Sequence, residues 1–354
     1  LVCLQFLTAS LLPFVGVVSK RWICPEDDMS PARLKIWSNV ALPAACQDLL
    51  AAGTSGQELI QAQAATASNL VGGHPDPQCR QADVAFGQPD PADVIASESL
   101  RWIQLTSAGY TRYDRDDVRS ALHQHNAIMT NSSSVYDEPC AEHALAMILA
   151  TARRLPFLAL EQTHRHWESA SHREQCHLLA GETLLIVGMG AIGRRLAELL
   201  SPLRMNITAF RRTPSGREGV PTMAIDQIDQ YLPAANHVVN ILPAAAQTKH
   251  FFDAQRISRI RPGAFFYNIG RGDTVDQTAL RVALETGHLA GAYLDVTTPE
   301  PLPPDDPLWS APRCWITPHT AGGHADEFER MVKHFIQNLR AFERSQPLLD
   351  RILA

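Results

Sequence analysis

The chain has 354 residues, 45% hydrophobic and 19% charged, enough to bury a large core and long enough that two domains are expected. A net charge of -6 with no run of Lys or Arg excludes nucleic acid and anionic membrane surfaces as partners and leaves small molecules. The seven cysteines, Cys3, Cys24, Cys46, Cys79, Cys140, Cys176 and Cys314, are odd in number and hold no Cys-x-x-Cys pair, so they read as reduced thiols of a cytoplasmic protein rather than as a disulfide framework or zinc knuckle.

Residues 1–28 are apolar up to Val18 and then basic at Lys20 and Arg21. No basic stretch precedes the apolar run and no clear cleavage site follows it. The segment is therefore expected to be a disordered or spurious extension ahead of a start at Met29, in preference to an export signal or a packed appendage. From residue 32 short apolar segments alternate with helical ones: strands at 34–37, 84–86 and 102–105, a helix at 44–52, and a surface helix over the Ala/Gln-rich stretch 57–68. Residues 131–134 form a polar hinge, and a helix over 138–154 carries the chain into a second unit. That unit has strands at 184–187, 207–210, 237–242, 264–269, 292–296 and 314–317, separated by helix-compatible segments. An amphipathic helix at 325–343 is expected to fold back onto the first unit.

Strand–helix alternation of this kind predicts an α/β protein with two doubly wound parallel-sheet domains, a Rossmann domain at 132–319 inserted into a discontinuous, flavodoxin-like substrate domain at 29–131 and 320–354.

The most informative segment lies where the strand at 184–187 runs into Gly188-x-Gly190-x-x-Gly193 and then a helix-forming stretch. Gly188 permits a sharp turn, Gly190 lets a pyrophosphate approach the main chain, and Gly193 lets the helix pack on the strand. Ala191 and Ile192 open that helix, whose free N–H groups and positive dipole end face the anion. A dinucleotide is the expected ligand. The residue closing the next strand contacts the adenine ribose in this arrangement, and here Arg211 and Arg212 stand where a carboxylate would bind a 2′-hydroxyl. Two guanidiniums favour a 2′-phosphate, so NADP(H) is expected in preference to NAD(H).

Three segments further on carry complementary chemistry: Asn268-Ile-Gly-Arg271-Gly, Asp295-Val-Thr-Thr-Pro-Glu300-Pro and Thr317-Pro-His319. Arg271 and His319 lie just past expected strands, where ligands gather in such sheets, and Glu300 lies in the loop beyond another. Hydride reduction of a 2-keto acid needs a clamp for the carboxylate and a proton for the growing alkoxide. A planar guanidinium grips carboxylate and carbonyl oxygens together. Imidazole titrates near neutrality, and a neighbouring carboxylate favours its protonated form. Four histidines, His164, His166, His172 and His177, have no acidic or thiol partner at a suitable spacing, and His324 would not share a helical face with His319, so no metal site is expected.

With these motifs in order, the chain resembles the D-isomer-specific 2-hydroxyacid dehydrogenases. The likeness covers residues 100–325, and its marks are Ser107-Ala-Gly109, Ala141-Glu-His143-Ala, the glycine fingerprint, Val239-Asn-Ile-Leu-Pro243, Asn268-Ile-Gly-Arg-Gly272, Leu294-Asp-Val296 and Thr317-Pro-His319. The resemblance implies that Arg271 binds the substrate carboxylate and keto oxygen, that His319 is the acid/base and that Glu300 pairs with it. It also implies that the N–H groups of Ser107, Ala108 and Gly109 hold the carboxylate, that Leu242, Pro243, Ile269 and Gly270 line the cofactor site, and that Asp295 holds the nicotinamide carboxamide. A homodimer through the nucleotide domain is implied too, with the stretch after Arg154 reaching across. Two features depart from the family pattern: Tyr110 follows the substrate loop, and the Pro-rich loop at 299–307 is long. Glu300, where formate dehydrogenase has glutamine, argues against that activity. The expected function is reduction of a glyoxylate- or hydroxypyruvate-like 2-keto acid to the D-2-hydroxy acid; the alternative is a dinucleotide-sensing binding protein or corepressor on the same scaffold.

Overall fold

The computed structural model describes residues 33–66 and 72–353, and the expectation for 1–28 lies outside the described residues. Two sheets are present. The first is built from β1 (Lys35–Val40), β2 (Glu58–Thr66), β3 (Val84–Gly87), β4 (Trp102–Leu105) and β5 (Ile128–Thr130), with α1 (Ala44–Gly53), α2 (Pro91–Ala96) and α3 (Asp116–Gln124) in the connections. α4 (Ser133–Ala152), α5 (Leu155–Thr163) and α6 (Ala170–Gln175) lead to the second sheet. Its strands are β6 (Thr183–Val187), β7 (Asn206–Arg211), β8 (Thr222–Ala224), β9 (His237–Asn240), β10 (Phe265–Asn268), β11 (Gly291–Leu294) and β12 (Cys314–Ile316), with helices α7 (Ala191–Leu200), α8 (Ala254–Arg259) and α9 (Gln277–Glu285) between them. The long α10 (Glu327–Glu343) and the short β13 (Arg351–Leu353) complete the chain.

The first sheet runs β13-β5-β4-β3-β1-β2, and only β13, paired to β5, is antiparallel. Apart from β13 this is the flavodoxin-like order, with the reversal between β1 and β3. The second runs β12-β11-β10-β9-β6-β7-β8, all parallel, and reverses between β6 and β9. In such sheets ligands bind outside the carboxyl ends of the strands at the reversal. The central strands β3, β4 and β9 are buried along their whole length, the mark of parallel sheets covered on both faces. Helix starts are written locally: Asp90, Asp253 and Asp276 accept the N–H of Ala92, Arg256 and Ala279, capping α2, α8 and α9.

The C-terminal helix returns to the first sheet as expected. Phe335 on α10 stacks on Phe86 and Trp102 with ring centroids 4.2 and 5.3 Å away, and Asn338 Nδ2 donates to the buried Gln104 Oε1 at 2.9 Å.

Three expectations are corrected. The Ala/Gln-rich stretch is not a helix but the edge strand β2, paired in parallel with β1 across a register shift between Ser38 and Val40. Ala and Gln favour helix locally, and pairing with β1 overrides that preference. The second sheet gains a seventh strand, β8, too short to show as a pattern. The hinge at 131–134 is polar but not exposed at its centre: Asn131 and Ser132 are buried, and α4 begins at Ser133, five residues before its expected start. Their polarity is consumed internally, Asn131 Nδ2 donating to Ala108 O at 2.6 Å and Ser132 Oγ to Leu105 O at 2.7 Å. The five described cysteines are all free. Among the described residues no single helix is long and apolar enough to cross a membrane.

Candidate active site

The glycine loop has the shape its residues imply. Gly188 has φ +110°, and a Cβ there would lie 2.7 Å from Ile241 O, so the turn demands glycine twice over. A Cβ at Gly193 would lie 2.8 Å from Gly188 O, which sets how closely α7 approaches the loop. At Gly190, which caps α7, a Cβ would meet nothing within 4 Å. Open space therefore lies beside the main chain at the helix start, where Ala191 and Ile192 belong to the first turn and leading N–H groups have no helical acceptor. This cradle fits a pyrophosphate. Gly270 closes the neighbouring wall: a Cβ there would lie 2.6 Å from Leu242 O, so the loops after β9 and β10 run in contact, with Leu242 and Ile269 buried and Pro243 exposed.

At the end of β7, Arg211 Nη1 donates to Glu218 Oε1 at 3.1 Å, whereas Arg212 is exposed. Glu218, a residue the sequence reading missed, is buried. It also accepts from the hydroxyl of Ser215 at 2.6 Å and its N–H at 2.7 Å. These bonds, the Ser215 hydroxyl foremost, pull its carboxyl down to about 2. A carboxylate thus does stand at the end of β7, seven residues along in a loop with no regular pattern to announce it.

Arg271 follows β10. Its carbonyl is held by Asn268 Nδ2 at 3.1 Å and Thr274 Oγ1 at 2.6 Å, and Asn240 Nδ2 reaches Asn268 Oδ1 at 3.0 Å and Thr274 Oγ1 at 2.7 Å. These buried asparagines at the strand ends fix the Arg271 loop, a role readable only once β9 and β10 are neighbours. The guanidinium donates from Nη1 to Gly270 O at 2.6 Å and lies against the loop after β4: a Cβ on Gly109 would be 2.2 Å from Arg271 Nη2. In that loop Ser107 Oγ donates to Gly109 O at 2.7 Å, and among the described residues the N–H groups of Ala108 and Gly109 donate to no backbone acceptor. Thr111 Oγ1 donates to Ala244 O at 3.0 Å, so the carboxyl edges of the two sheets meet beside Arg271.

Within reach of the Arg271 charge, His319 Nδ1 lies 2.8 Å from Glu300 Oε2, and Glu300 Oε1 accepts the Thr297 N–H at 3.0 Å. Burial opposes ionisation of Glu300, yet the bonds from His319 and Thr297, with the charges of His319 and Arg271, outweigh it and hold the carboxyl below its usual range. His319 has φ +52°, a left-handed conformation held by its N–H donating to Asp295 O at 2.8 Å. Asp295, buried at the end of β11, spends its carboxylate on the same segment: Oδ1 accepts from Thr317 Oγ1 at 2.7 Å and Thr320 N at 2.9 Å, Oδ2 from Ala321 N at 3.0 Å. The side chain expected to hold a carboxamide is thus the anchor of the His319 loop, with one acceptor direction of Oδ2 left over. His143 on α4 stands behind it, Nε2 3.8 Å from Asp295 Oδ1, and burial holds its imidazole below the usual value despite that charge.

The expectation that His164, His166, His172 and His177 lack an acidic partner fails for His166, whose Nδ1 bonds Glu161 Oε2, and for His177. His177 Nδ1 lies 2.8 Å from Glu182 Oε1, and His237 Nε2 lies 2.7 Å from Glu182 Oε2. A five-residue spacing around a strand start is no helical face, and His237 arrives from β9, next to β6 in the sheet.

Proteins of known sequence and structure share this fold. Residues 145–321 match the family model described as D-isomer specific 2-hydroxyacid dehydrogenase, NAD binding domain. A glyoxylate reductase of Korarchaeum cryptofilum is 32% identical over 263 residues, covering 73% of this chain and 78% of that protein. The crystal structure of a D-isomer specific 2-hydroxyacid dehydrogenase from Xanthobacter autotrophicus Py2, in complex with NADPH and MES, superposes with TM-score 0.75 at 25% identity, covering 91% of this chain and 98% of that one. The apo D-mandelate dehydrogenase of Rhodotorula graminis shares the fold, with TM-score 0.75 at 21% identity over 91% of this chain and 98% of that one. The chain belongs to the D-isomer specific 2-hydroxyacid dehydrogenase family and is a nicotinamide-dinucleotide-dependent oxidoreductase.

Proposed function

We propose that the chain is a cytoplasmic reductase of a small 2-keto acid, of the glyoxylate or hydroxypyruvate kind, forming the D-2-hydroxy acid with NADP(H) in preference to NAD(H). The observation that carries this reading is the convergence at one carboxyl edge of the Arg271 guanidinium against Gly109 and of His319 on Glu300 at 2.8 Å. Arg271 and the N–H groups of Ser107, Ala108 and Gly109 bind the substrate carboxylate, and Arg271 also polarises the keto oxygen. Glu300 occupies Nδ1 of His319, leaving Nε2 to give its proton to the alkoxide. A bound nicotinamide supplies the hydride.

Gly188, Gly190, Ala191, Ile192 and Gly193 receive the pyrophosphate. Leu242, Pro243, Ile269 and Gly270 wall the site, and the remaining lone pair of Asp295 takes the carboxamide. Arg212 meets the 2′-phosphate, while Arg211 beside it is held by Glu218; the NADPH complex of the Xanthobacter relative supports the choice of NADP(H). The substrate domain comprises 29–131 and 320–354 and the nucleotide domain 132–319. A homodimer through the latter accounts for α5, which buries no residue and exposes Leu155 and Leu160, and for the exposed Trp167 and Leu178 that follow it.

The test is a panel of 2-keto acids, each run with NADPH and NADH, on the wild type and on Arg271→Ala and His319→Ala. Turnover of a small 2-keto acid, faster with NADPH and lost in both variants, is expected. A wild type inert across the panel refutes the reading. A monomer in light scattering refutes the dimer.

A further inference from the structure

The amino edge of the second sheet carries a second cluster, on the side away from Arg271 and His319. His177 lies in the connector after α6, Glu182 immediately precedes β6, and His237 opens β9. One ligand atom from each lies within 4.8 Å of the others. The three line a cleft of about 510 Å³ together with Arg154, Phe265 and Arg313.

From these residues we infer a binding site for a divalent transition metal, zinc by ligand type, held by His177 Nδ1, the Glu182 carboxylate and His237 Nε2, with a fourth position open to the cleft. Two imidazoles and one carboxylate are a donor set suited to Zn²⁺ at about 2.0–2.2 Å per ligand. The polarity of the hydrogen bonds behind His237 makes the stronger argument. Thr151 Oγ1 lies 3.0 Å from Met147 O and 2.9 Å from Ile148 O, the carbonyls of its own helix, and donates there. Its oxygen then accepts from the Tyr267 hydroxyl at 2.7 Å, and the Tyr267 oxygen accepts from His237 Nδ1 at 3.1 Å. With its proton on Nδ1, His237 turns the Nε2 lone pair to a carboxylate oxygen 2.7 Å away. In the metal-free chain a proton bridges the two atoms at that distance; a metal ion would take its place, with the donor atoms opening to about 3.3–3.6 Å, as a tetrahedral ion with ligands at about 2.0–2.2 Å requires. His237 is fully buried, so desolvating an imidazolium there is costly, whereas a metal ion shared with His177 leaves it neutral. A ligating imidazole that donates its other N–H to a fixed hydroxyl is the usual outer arrangement of such sites. His177 Nε2 has no partner, and its ring stacks on Phe265 at 5.9 Å, which lets it slide onto an ion without breaking another bond. The ion would tie the connector after α6 to the starts of two adjacent strands, a structural clip remote from hydride transfer.

The experiment is Zn²⁺ titration of the chelator-treated full chain by calorimetry, repeated with Co²⁺ and its visible spectrum, on the wild type and on His177→Ala, Glu182→Gln and Tyr267→Phe. Near-ultraviolet circular dichroism reports folding independently of any activity. One equivalent per chain is expected, with a four-coordinate cobalt spectrum. Affinity should fall by about 100-fold or more in His177→Ala and Glu182→Gln, and about tenfold in Tyr267→Phe, which removes only the outer hydroxyl. Should a folded wild type bind no metal, or bind it as well as a folded His177→Ala, the site is overturned and the cluster is a hydrogen-bonded brace.

Discussion

Replacing Gly109 by alanine adds one methyl group at the point where the loop after β4 touches Arg271, the proposed clamp. The new Cβ would lie 2.2 Å from Arg271 Nη2 and 3.4 Å from its Cζ. Ordinary contact begins near 3.4 Å, so the guanidinium must retreat by about 1.2 Å, the difference between the two contact distances. Gly109 does not have the positive φ that would strain an alanine, and the obstructing atom is the end of a flexible side chain, so the fold should tolerate the change. The cost falls on the chemistry. A displacement of about 1 Å in a positioning group lowers rate by on the order of 100-fold, or about 2.7 kcal/mol of transition-state stabilisation. Steady-state oxidation of NADPH by the best 2-keto acid should show kcat/KM reduced by that factor, with Tm within about a degree of the wild type. Wild-type kcat/KM in a folded Gly109→Ala protein would refute the placement of Arg271 against the substrate loop. A loss of rate accompanied by a large fall in Tm would show that the methyl group damages the fold instead.

Four further substitutions test the same part of the molecule. Glu300→Gln removes the carboxylate that orients His319, so kcat should drop while KM for the cofactor holds. Because the folded-state carboxyl of Glu300 is held below the usual glutamate range by its bonds to His319 and Thr297, its contribution is complete above the unfolded-state value and disappears as pH falls through the folded one; the variant should lack the corresponding acid limb in a pH–stability profile. Arg212→Ala should raise KM for NADPH by about tenfold or more, the loss of one charge-assisted bond, and leave NADH unaffected. Glu218→Gln, which releases Arg211, should lower KM for NADPH, and equal effects of either substitution on both cofactors would remove the 2′-phosphate assignment. In Gly272→Ala the new Cβ would meet Thr297 O at 2.0 Å and Thr297 C at 2.1 Å, both backbone atoms, so thermal unfolding should show a cost of about 1–3 kcal/mol, and an unchanged Tm would contradict the packing of the Arg271 and Glu300 loops.

Much of the candidate site was legible before any coordinate because its parts are short and local. The strand–glycine–helix passage from β6 into α7 is written in consecutive residues, Arg271 and His319 each sit just past a recognisable strand end, and Glu300 lies in the loop that follows a third. Other features could not be read that way. Residues 58–66 contain good helix formers and became a strand only because β1 offered a partner edge. Arg211 looked free to meet a phosphate until the loop returned Glu218 to it, and Asp295 is committed to the 317–321 segment through bonds spanning 22 to 26 residues.

What the sequence determined by itself is the α/β class, the glycine turn from β6 into α7 and the order of the candidate site residues, since periodicity, glycine geometry and side-chain chemistry act over a few residues. Strand order decided the rest. It placed the two carboxyl edges face to face, turned Asp295 into the anchor of the His319 loop, and brought His237 to Glu182 across 55 residues. Contacts of that kind belong to the sheet as a whole, because which backbone edges pair is settled by the burial of both faces at once and by no single segment of the chain.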